Sequence, residues 1–185
     1  FIIRKKSFEY EPDIKEPYIL SVGRITPNKN ISFLLDSYKY AKDNLSLTMP
    51  LVVVGGGHDI ENVKSKIIEL NLEDDVKLLG MLENPYPWMK NAKILTSTSK
   101  AEGFGMVLIE ALSCSTKVIS TKSIGGVKDI MIDDLKKSMI DFSEEMFAKR
   151  MCEIIDEEKI IDFDKYIERF SAKSIVQRYE ELPLA

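Results

Sequence analysis

The chain has 185 residues, of which 44% are hydrophobic and 30% are charged. This length and composition are typical of one folded globular domain and argue against disorder. The formal net charge of −4 gives no electrostatic footprint for nucleic acid or an anionic membrane. No apolar run reaches the ~20 residues that a membrane-spanning helix needs, and no signal peptide opens the chain. We therefore expect a cytoplasmic protein that does not bind nucleic acid.

The predicted elements begin after an extended or irregular linker at residues 1–17, and a single domain is expected over residues 18–185. Short apolar, β-branched runs predict buried strands at 18–22, 51–54, 76–79, 94–97 and 118–121, with a short last strand at 139–140. Apolar residues at helical spacing lie between the strands. Terminal helices are predicted from about residue 143, with apolar positions at Met146, Phe147, Met151, Ile154, Ile155, Ile167, Phe170, Ile175, Val176 and Tyr179.

This alternation of strands and helices predicts an α/β fold: a doubly wound, mostly parallel Rossmann-like sheet with helices on both faces. Ligands of such sheets bind beyond the carboxyl ends of the strands. The residues that follow the predicted strands are mostly glycine-rich or charged, at 23–24, 55–57, 80, 99–105 and 122–126. This edge is therefore the expected ligand-binding side.

Two cations, Arg24 and Lys29, follow the first predicted strand and the turn at Gly23. The Arg24 guanidinium is a planar fork suited to phosphate oxygens, and Lys29 adds a point charge nearby. Together they could neutralise a diphosphate, both bound and as it departs. Most arginines and lysines are solvated surface groups, however, and this segment alone does not separate the two interpretations.

Three glycines, at 55–57, come directly after the second predicted strand. They could let a ligand approach the backbone and leave N–H groups available at a helix start. A simple tight turn is the favoured interpretation, because Ile60 stands where a dinucleotide fingerprint has its third glycine. His58, the only histidine, is expected to be a polar residue at the helix start rather than a general base.

The segment 97–112 is more specific. A strand ends in hydroxyls, a loop carries Glu102 between small residues, and a helix is predicted to begin near Phe104 or Gly105. The free N–H groups at such a helix start favour an anion. Eight helical residues from Glu102 to Glu110 would rise about 12 Å, which is comparable to the reach from a ribose across a diphosphate to a hexose.

The two glutamates could therefore contact opposite ends of one ligand. Glu110 lies among apolar residues, where a carboxylate needs hydrogen-bond donors, and a ribose diol supplies two. Glu102 would then meet the sugar, with the diphosphate between them on the helix terminus. The alternative is that Glu102 is a surface acid and that Glu110 pairs with a lysine.

Together these residues resemble the retaining GT-B glycosyltransferases of the large "group 1" family. The likeness covers residues 16–131 closely and the terminal helices loosely. It rests on Gly-Arg-x-x-x-x-Lys-Asn at 23–30, Val-Val-Val-Gly-Gly-Gly at 52–57 and Val-Lys-Leu-Leu-Gly at 76–80. Its strongest part is Glu102-Gly-Phe-Gly-Met-Val-Leu-Ile-Glu110-Ala, in which seven residues separate the two glutamates.

The resemblance implies roles for individual residues. Arg24 and Lys29 would bind the donor diphosphate and stabilise the leaving nucleotide. Glu102 would contact the donor sugar, Glu110 would accept from the ribose hydroxyls, and the loop after Leu79 would lie near the base. The other implied donor contacts are Gly23, Gly55, Gly56, Gly103, Phe104, Gly105, Met106 and Val107. No metal or other cofactor is expected, because the two cations and the helix terminus would replace it.

The resemblance also implies a partner domain. Enzymes of this family work in a cleft between two α/β halves, so this chain is expected to be the C-terminal, donor-binding half and to transfer nothing alone. The first residue is Phe1 rather than Met, which fits a fragment whose N-terminal acceptor-binding domain is missing. The run at 84–88 resembles bacterial surface-polysaccharide enzymes and favours a UDP-sugar donor with a glycan or lipid-linked acceptor. Peripheral attachment at the inner membrane would come through the missing domain.

The chain departs from the family pattern in two places. Ser115 is expected to make a turn that glycine normally makes, and Lys117 stands where a proline is usual. After Asp133 the loop before the last strand looks shortened and lysine-rich. There are two alternatives to a transferase: a module that holds a nucleotide sugar without transferring it, and a redox Rossmann domain, which the absence of the glycine fingerprint disfavours.

Overall fold

The computed structural model describes residues 2–158, 162–171 and 174. Its main sheet contains six strands: β1 Ile19–Val22, β2 Leu51–Val54, β3 Val76–Gly80, β4 Ile94–Ser97, β6 Val118–Thr121 and β8 Met139–Ile140. Two further strands, β5 Ala101–Glu102 and β7 Ile124–Gly125, form a small separate sheet. The six strands have the predicted bounds to within a residue, including the short last strand.

All neighbouring strands of the main sheet are parallel, in the order β3-β2-β1-β4-β6-β8. The order reverses between β1 and β4, which is the topological switch point of a doubly wound sheet. The predicted fold class is therefore confirmed. The carboxyl ends of β1, β4 and β6 lie side by side, so the loops that follow them share one edge.

Helices cover both faces of this sheet. On one face are α2 Ile31–Leu45, α3 Ile60–Glu69 and α7 Glu144–Asp156; on the other are α1 Ile2–Lys6, α4 Tyr86–Asn91, α5 Met106–Ser113, α6 Val127–Ile130 and α8 Phe163–Ile167. Alternate strand residues point to opposite faces, so Val53 joins the first core and Val52 joins the second. This double burial explains why the strands are apolar runs rather than alternating ones.

The terminal helices are confirmed as far as the structure describes them. The Ser143 side chain accepts a hydrogen bond from the Met146 N–H at 3.4 Å and caps α7, which packs against α2 in the first core. α8 follows, with a 3-10 turn at Glu168–Phe170. Of the apolar positions predicted as helical, Ile175, Val176 and Tyr179 lie outside the described residues.

The N-terminal segment differs from the expected irregular linker, because residues 2–6 form α1. Ile3 packs on the second core, the Arg4 guanidinium donates to the Ser113 carbonyl oxygen at 3.1 Å, and it also pairs with Asp164. These tertiary contacts hold a short helix that has no buried residue of its own. Past it, residues 7–17 contain turns and bends but no helix or strand.

The two departures from the family pattern have structural explanations. Ser115 has φ +63° and so makes the left-handed turn expected of it. The Lys117 ammonium donates to the carbonyl oxygens of Ile154, at 2.8 Å, and of Glu157. The shortened loop after Ile132 is a 3-10 helix, Asp133–Ser138, whose Leu135 is buried in the second core.

Candidate functional site

Four loops meet at the carboxyl edge of the sheet. The loop after β1 bonds to the loop after β2 through the Ile25 N–H, which donates to the Gly56 carbonyl oxygen at 2.9 Å. The loop after β4 bonds to the loop after β1 through the Lys100 N–H and the Asn28 oxygen, at 2.8 Å, and to the loop after β6 through the Ile124 N–H and the Lys100 oxygen, at 3.0 Å. These four loops thus form one connected rim, which carries Arg24, Lys29 and Glu102.

Lys29 and Glu102 come together at this rim, although 73 positions separate them in the chain. The Lys29 Nζ lies 2.5 Å from Glu102 Oε1, and the Ser99 hydroxyl donates to the same oxygen at 2.6 Å. The two charged side chains are only 25% and 13% exposed. Glu102 is therefore a largely buried carboxylate with an ordered cation against it, and not the surface acid of the alternative interpretation.

The backbone of Glu102 is supported by the small sheet of β5 and β7, where Glu102 is the strand partner of Gly125. Gly125 has φ +110°, and a Cβ placed there would lie 1.9 Å from the Glu102 carbonyl oxygen. Only glycine fits so close an approach at this backbone conformation. The Gly126 N–H also donates to that oxygen, at 3.1 Å.

The helix that begins beside Glu102 is α5, and Gly105 is its N-cap with φ +91°. The start therefore lies where the sequence predicts it. No side chain caps this end, and the first N–H groups of a helix have no acceptor within it. Met106 in the first turn is 54% exposed, and the Phe104 ring packs edge-on against Phe170 at 5.3 Å. An open, partly positive helix terminus thus adjoins the carboxylate.

Glu110 lies one turn further along α5 and is half-buried. Burial raises the pKa of its carboxyl group, because low-dielectric surroundings disfavour the charged form. Burial, and secondarily the charge of Glu110, raise the pKa of the Tyr86 phenol on α4. In the part of the chain that the structure describes, no lysine pairs with Glu110 and no donor bonds to its side chain. The lysine-paired alternative is not what the structure has.

The glycines at 55–57 serve loop packing. A Cβ on Gly55 would lie 1.8 Å from the Gly23 carbonyl oxygen, and one on Gly57 would lie 2.0 Å from the Ile25 carbonyl oxygen. The favoured interpretation as a tight turn therefore has a steric reason: two loops touch through their main chains. His58 follows and is exposed just before Asp59, the N-cap of α3.

Arg24 is exposed on the same rim and forms no ion pair with any described residue. The Gly56 backbone faces Met81, whose Cγ would be 3.2 Å from a Cβ there. Leu79, in β3, is half-buried against the second core, next to the loop that carries Met81.

The fold and the residue pattern together match a known family. The model of the family described as glycosyl transferases group 1 matches residues 2–173. The chain belongs to this glycosyltransferase family. The membership of this family that the residue motifs predict is therefore confirmed.

Two bacterial transferases are among the curated relatives to which this glycosyltransferase chain is similar. It is 39% identical over 121 residues, 65% of its length, to a Campylobacter jejuni N-acetylgalactosamine-N,N'-diacetylbacillosaminyl-diphospho-undecaprenol 4-alpha-N-acetylgalactosaminyltransferase. It is 34% identical over 122 residues, 62% of its length, to an Escherichia coli lipopolysaccharide 1,6-galactosyltransferase. The chain spans about a third of each relative, 32% in both cases.

Solved structures share the fold. A lipopolysaccharide outer core galactosyltransferase, WaaB in its apo form, superposes with a TM-score of 0.76 at 25% identity, covering 92% of this chain and 50% of that one. The pneumococcal O-GlcNAc transferase GtfA, solved with UDP and GlcNAc, superposes with a TM-score of 0.75 at 20% identity, covering 90% of this chain and 35% of that one. The Rossmann-like domain thus corresponds to one half of a GT-B enzyme.

The structure brings Lys29, Glu102 and the start of α5 together. The donor contacts assigned to Gly23, Gly55, Gly56, Leu79, Gly103, Phe104, Gly105, Met106, Val107 and Glu110, and the roles of Arg24, Lys29 and Glu102 in catalysis, stay predictions. Sequence reasoning missed Ser99 and Asn28, both of which bond to this loop. The run of hydroxyls that ends β4 was a usable signal for Ser99.

No group of three or more His, Cys, Asp or Glu side chains that could hold a metal ion occurs among the residues described. The expectation that no metal takes part stays a prediction. Within the same residues, no helix has the length and apolar character needed to cross a membrane.

Proposed function

We propose that this chain is the donor-binding, C-terminal half of a retaining glycosyltransferase. It would transfer a hexose from a UDP-sugar to a hydroxyl acceptor in glycan or polysaccharide biosynthesis. The observation that carries this proposal is the Lys29–Glu102 pair, 2.5 Å apart, beside the uncapped start of α5. A cation and free helix N–H groups suit a diphosphate, and a carboxylate can accept hydrogen bonds from the hydroxyl groups of a sugar.

The donor would lie along α5. Its diphosphate would accept from the first N–H groups of the helix and from Lys29, with exposed Arg24 closing from the rim. Its sugar would meet Glu102, and its ribose hydroxyls would donate to Glu110, whose carboxylate has no donor among the described residues. The Leu79 loop would contact the base.

In the transfer itself, the bond between the anomeric carbon and the diphosphate oxygen breaks, and its electron pair leaves with the nucleotide. The negative charge that develops on that oxygen is stabilised by positive groups already in place, which need no reorganisation during the reaction. Lys29 and Arg24 are such groups. The acceptor oxygen would bond to the anomeric carbon from the side that the diphosphate leaves, and its proton would pass to the departing diphosphate oxygen, so that the configuration is retained.

The relatives support the choice of donor and acceptor class. Several solved relatives are described with UDP, and relatives in sequence are named for acceptors carried on diphospho-undecaprenol or for lipopolysaccharide. Because the chain spans 32% of these relatives, the acceptor would be held by a second α/β domain. Any attachment to a membrane would come from that domain.

The test is titration of UDP, GDP and ADP into the chain, followed by calorimetry or NMR. We expect UDP to bind most tightly. Lys29→Ala should weaken UDP binding about tenfold, equivalent to ~1.4 kcal/mol, because it removes a cation from the diphosphate. Glu102→Gln should instead tighten UDP binding severalfold, because it releases Lys29 and removes a negative charge, while abolishing any gain in affinity from the attached sugar.

Asp43→Asn is the matched control, because Asp43 forms an exposed ion pair with Lys39, 2.9 Å away on α2. It should change nothing. No binding of any nucleotide by the wild-type chain, or equal loss of UDP in the Lys29 and Glu102 variants, would contradict the proposal. The alternative of a binding module without transfer makes the same binding prediction; absence of transfer by the chain joined to an acceptor-binding half would favour it.

A further inference from the structure

Asn28 joins the loop after β1 to the loop after β4 through three hydrogen bonds. Its side-chain Nδ2 donates to the Ala101 carbonyl oxygen at 2.8 Å, and the Ala101 N–H donates to its Oδ1 at 3.1 Å. Its own carbonyl oxygen accepts from the Lys100 N–H at 2.8 Å. The side-chain amide therefore pairs with the Ala101 peptide as one strand residue pairs with another.

The two residues joined in this way are the chain neighbours of the charged pair. Asn28 precedes Lys29, and Ala101 precedes Glu102. A further bond, from the Thr98 hydroxyl to the Lys29 carbonyl oxygen at 3.0 Å, holds the same two loops together. The spacing between the Lys29 ammonium and the Glu102 carboxylate therefore depends on how these loops are joined.

Asparagine suits this position for a chemical reason. The pairing needs a donor and an acceptor on two separate atoms that share one carbon, a single methylene from the main chain, and the asparagine amide offers this arrangement, whereas a serine hydroxyl has only one such atom. Aspartate keeps the acceptor but loses the donor and adds charge beside Glu102. Asn28 is exposed, so its side chain adds nothing to either core.

We propose that Asn28 is a positioning residue of the donor site, acting through its amide pair with Ala101 to hold Lys29 and Glu102 at the spacing that the sugar diphosphate requires. This inference rests on the proposed function. It assigns a role to Asn28, which would not touch the substrate itself. Asn28 would set the relative positions of Lys29 and Glu102, which would touch it.

The test is a double-mutant cycle on UDP binding with Asn28→Ala and Lys29→Ala. We expect Asn28→Ala to weaken UDP binding by roughly three- to tenfold. This change in affinity corresponds to the net free energy of about one hydrogen bond. In the Lys29→Ala background the same change should have almost no effect, because the group that it positions is gone. The melting temperature should fall by no more than about two degrees.

Asn44→Ala is the matched control: Asn44 is also exposed, and its side chain donates to the Tyr40 carbonyl oxygen at 3.0 Å near the end of α2. It should leave UDP binding unchanged. Wild-type affinity in Asn28→Ala, or an equal loss with and without Lys29, would overturn the positioning role while leaving the proposed function intact. A wild-type chain that binds no nucleotide would overturn both.

Discussion

The two carboxylates of the site are in opposite situations before any ligand binds. Glu102 already has a cation and a hydroxyl against it, at 2.5 and 2.6 Å. Glu110 is half-buried, and no described residue donates to it. A ligand that donates hydrogen bonds therefore improves the surroundings of Glu110, whereas at Glu102 it must compete with Lys29. Glu110 is therefore the better probe of what the protein surroundings alone do to a carboxylate at this site.

The Glu110→Gln variant tests how burial of the Glu110 carboxylate affects the stability of the fold. Because burial raises the pKa of Glu110 above its ordinary value of 4.5, the folded chain holds this proton at a higher pH than the unfolded chain does. The stability contributed by protonation is present below pH 4.5 and is lost as the pH rises through the raised pKa. We expect the variant to melt about one to two degrees above wild type at pH 7, with the difference vanishing below pH 4.5.

Melting curves followed by circular dichroism across pH 4 to 8 provide the measurement. The control is Glu73→Gln, since Glu73 is exposed and lies in neither hydrophobic core, and this change should leave the melting temperature unaltered. A Glu110→Gln variant that is less stable than wild type at pH 7 would mean that the carboxylate has a favourable partner.

The sequence predicts the charged residues of the site better than it predicts what holds them. Lys29, Glu102 and Glu110 stand at spacings that strand and helix periodicity make meaningful. Asn28 carries no such signal, because its partner Ala101 lies 73 positions away and the bonds use a main-chain peptide, which every residue has. Pairings of that kind become visible only in the folded chain.

At the scale of elements, Lys117 stands where a proline is usual in the family, and its side chain joins the start of β6 to the end of α7. It stands immediately before β6, and its ammonium reaches the carbonyl oxygens of Ile154 and Glu157 at the end of α7. The last carbonyls of a helix have no partner within it, and a cation there also opposes the negative end of the helix dipole. Burial, the largest influence, lowers the pKa of Lys117.

Lys117→Met, which keeps the apolar stem, should therefore destabilise the fold by about 1–2 kcal/mol, the cost of bonds to a charged donor. Urea unfolding measures this difference. Lys15→Met is the control, because Lys15 is exposed in the segment before β1 and forms no ion pair with a described residue. Equal stability of the two variants would show that water satisfies the end of α7 equally well.

Elements were predictable in proportion to their length and burial. The strands appear in the sequence as apolar runs because both faces of the sheet are covered. Helices α2 and α7 appear as long stripes of apolar residues at helical spacing. Helix α1 was missed because five residues with no buried side chain carry no periodicity. It exists through Arg4, whose bond to Ser113 joins residues 109 positions apart.

At the scale of the whole molecule, the described residues form two hydrophobic cores divided by one sheet. Neighbouring residues of a single strand, such as Val52 and Val53, belong to different cores, so both cores depend on the same strands. Trp88, the only tryptophan, packs edge-on against Tyr18 at 5.6 Å in the second core. Its fluorescence therefore reports on one face alone.

We expect unfolding followed by Trp88 fluorescence and by far-ultraviolet circular dichroism to coincide at every urea concentration, as a two-state transition requires. Phe147→Leu, in the opposite core, should lower both midpoints by the same amount, although it touches nothing near the fluorophore. A fluorescence transition that stays in place while the dichroism shifts would mean that the two faces unfold independently.

The close approach of Gly125 to the Glu102 carbonyl oxygen limits the substitutions that this part of the site can accept. The main chain of the loop that carries Glu102 is held on two sides, by hydrogen bonds with Asn28 and by the close packing of Gly125. Lys100 is exposed in the same loop, and it contributes only its peptide groups to these contacts. Substitutions of Lys100 should therefore leave the Glu102 carboxylate in place, whereas one methyl group added at position 125 would displace that carboxylate.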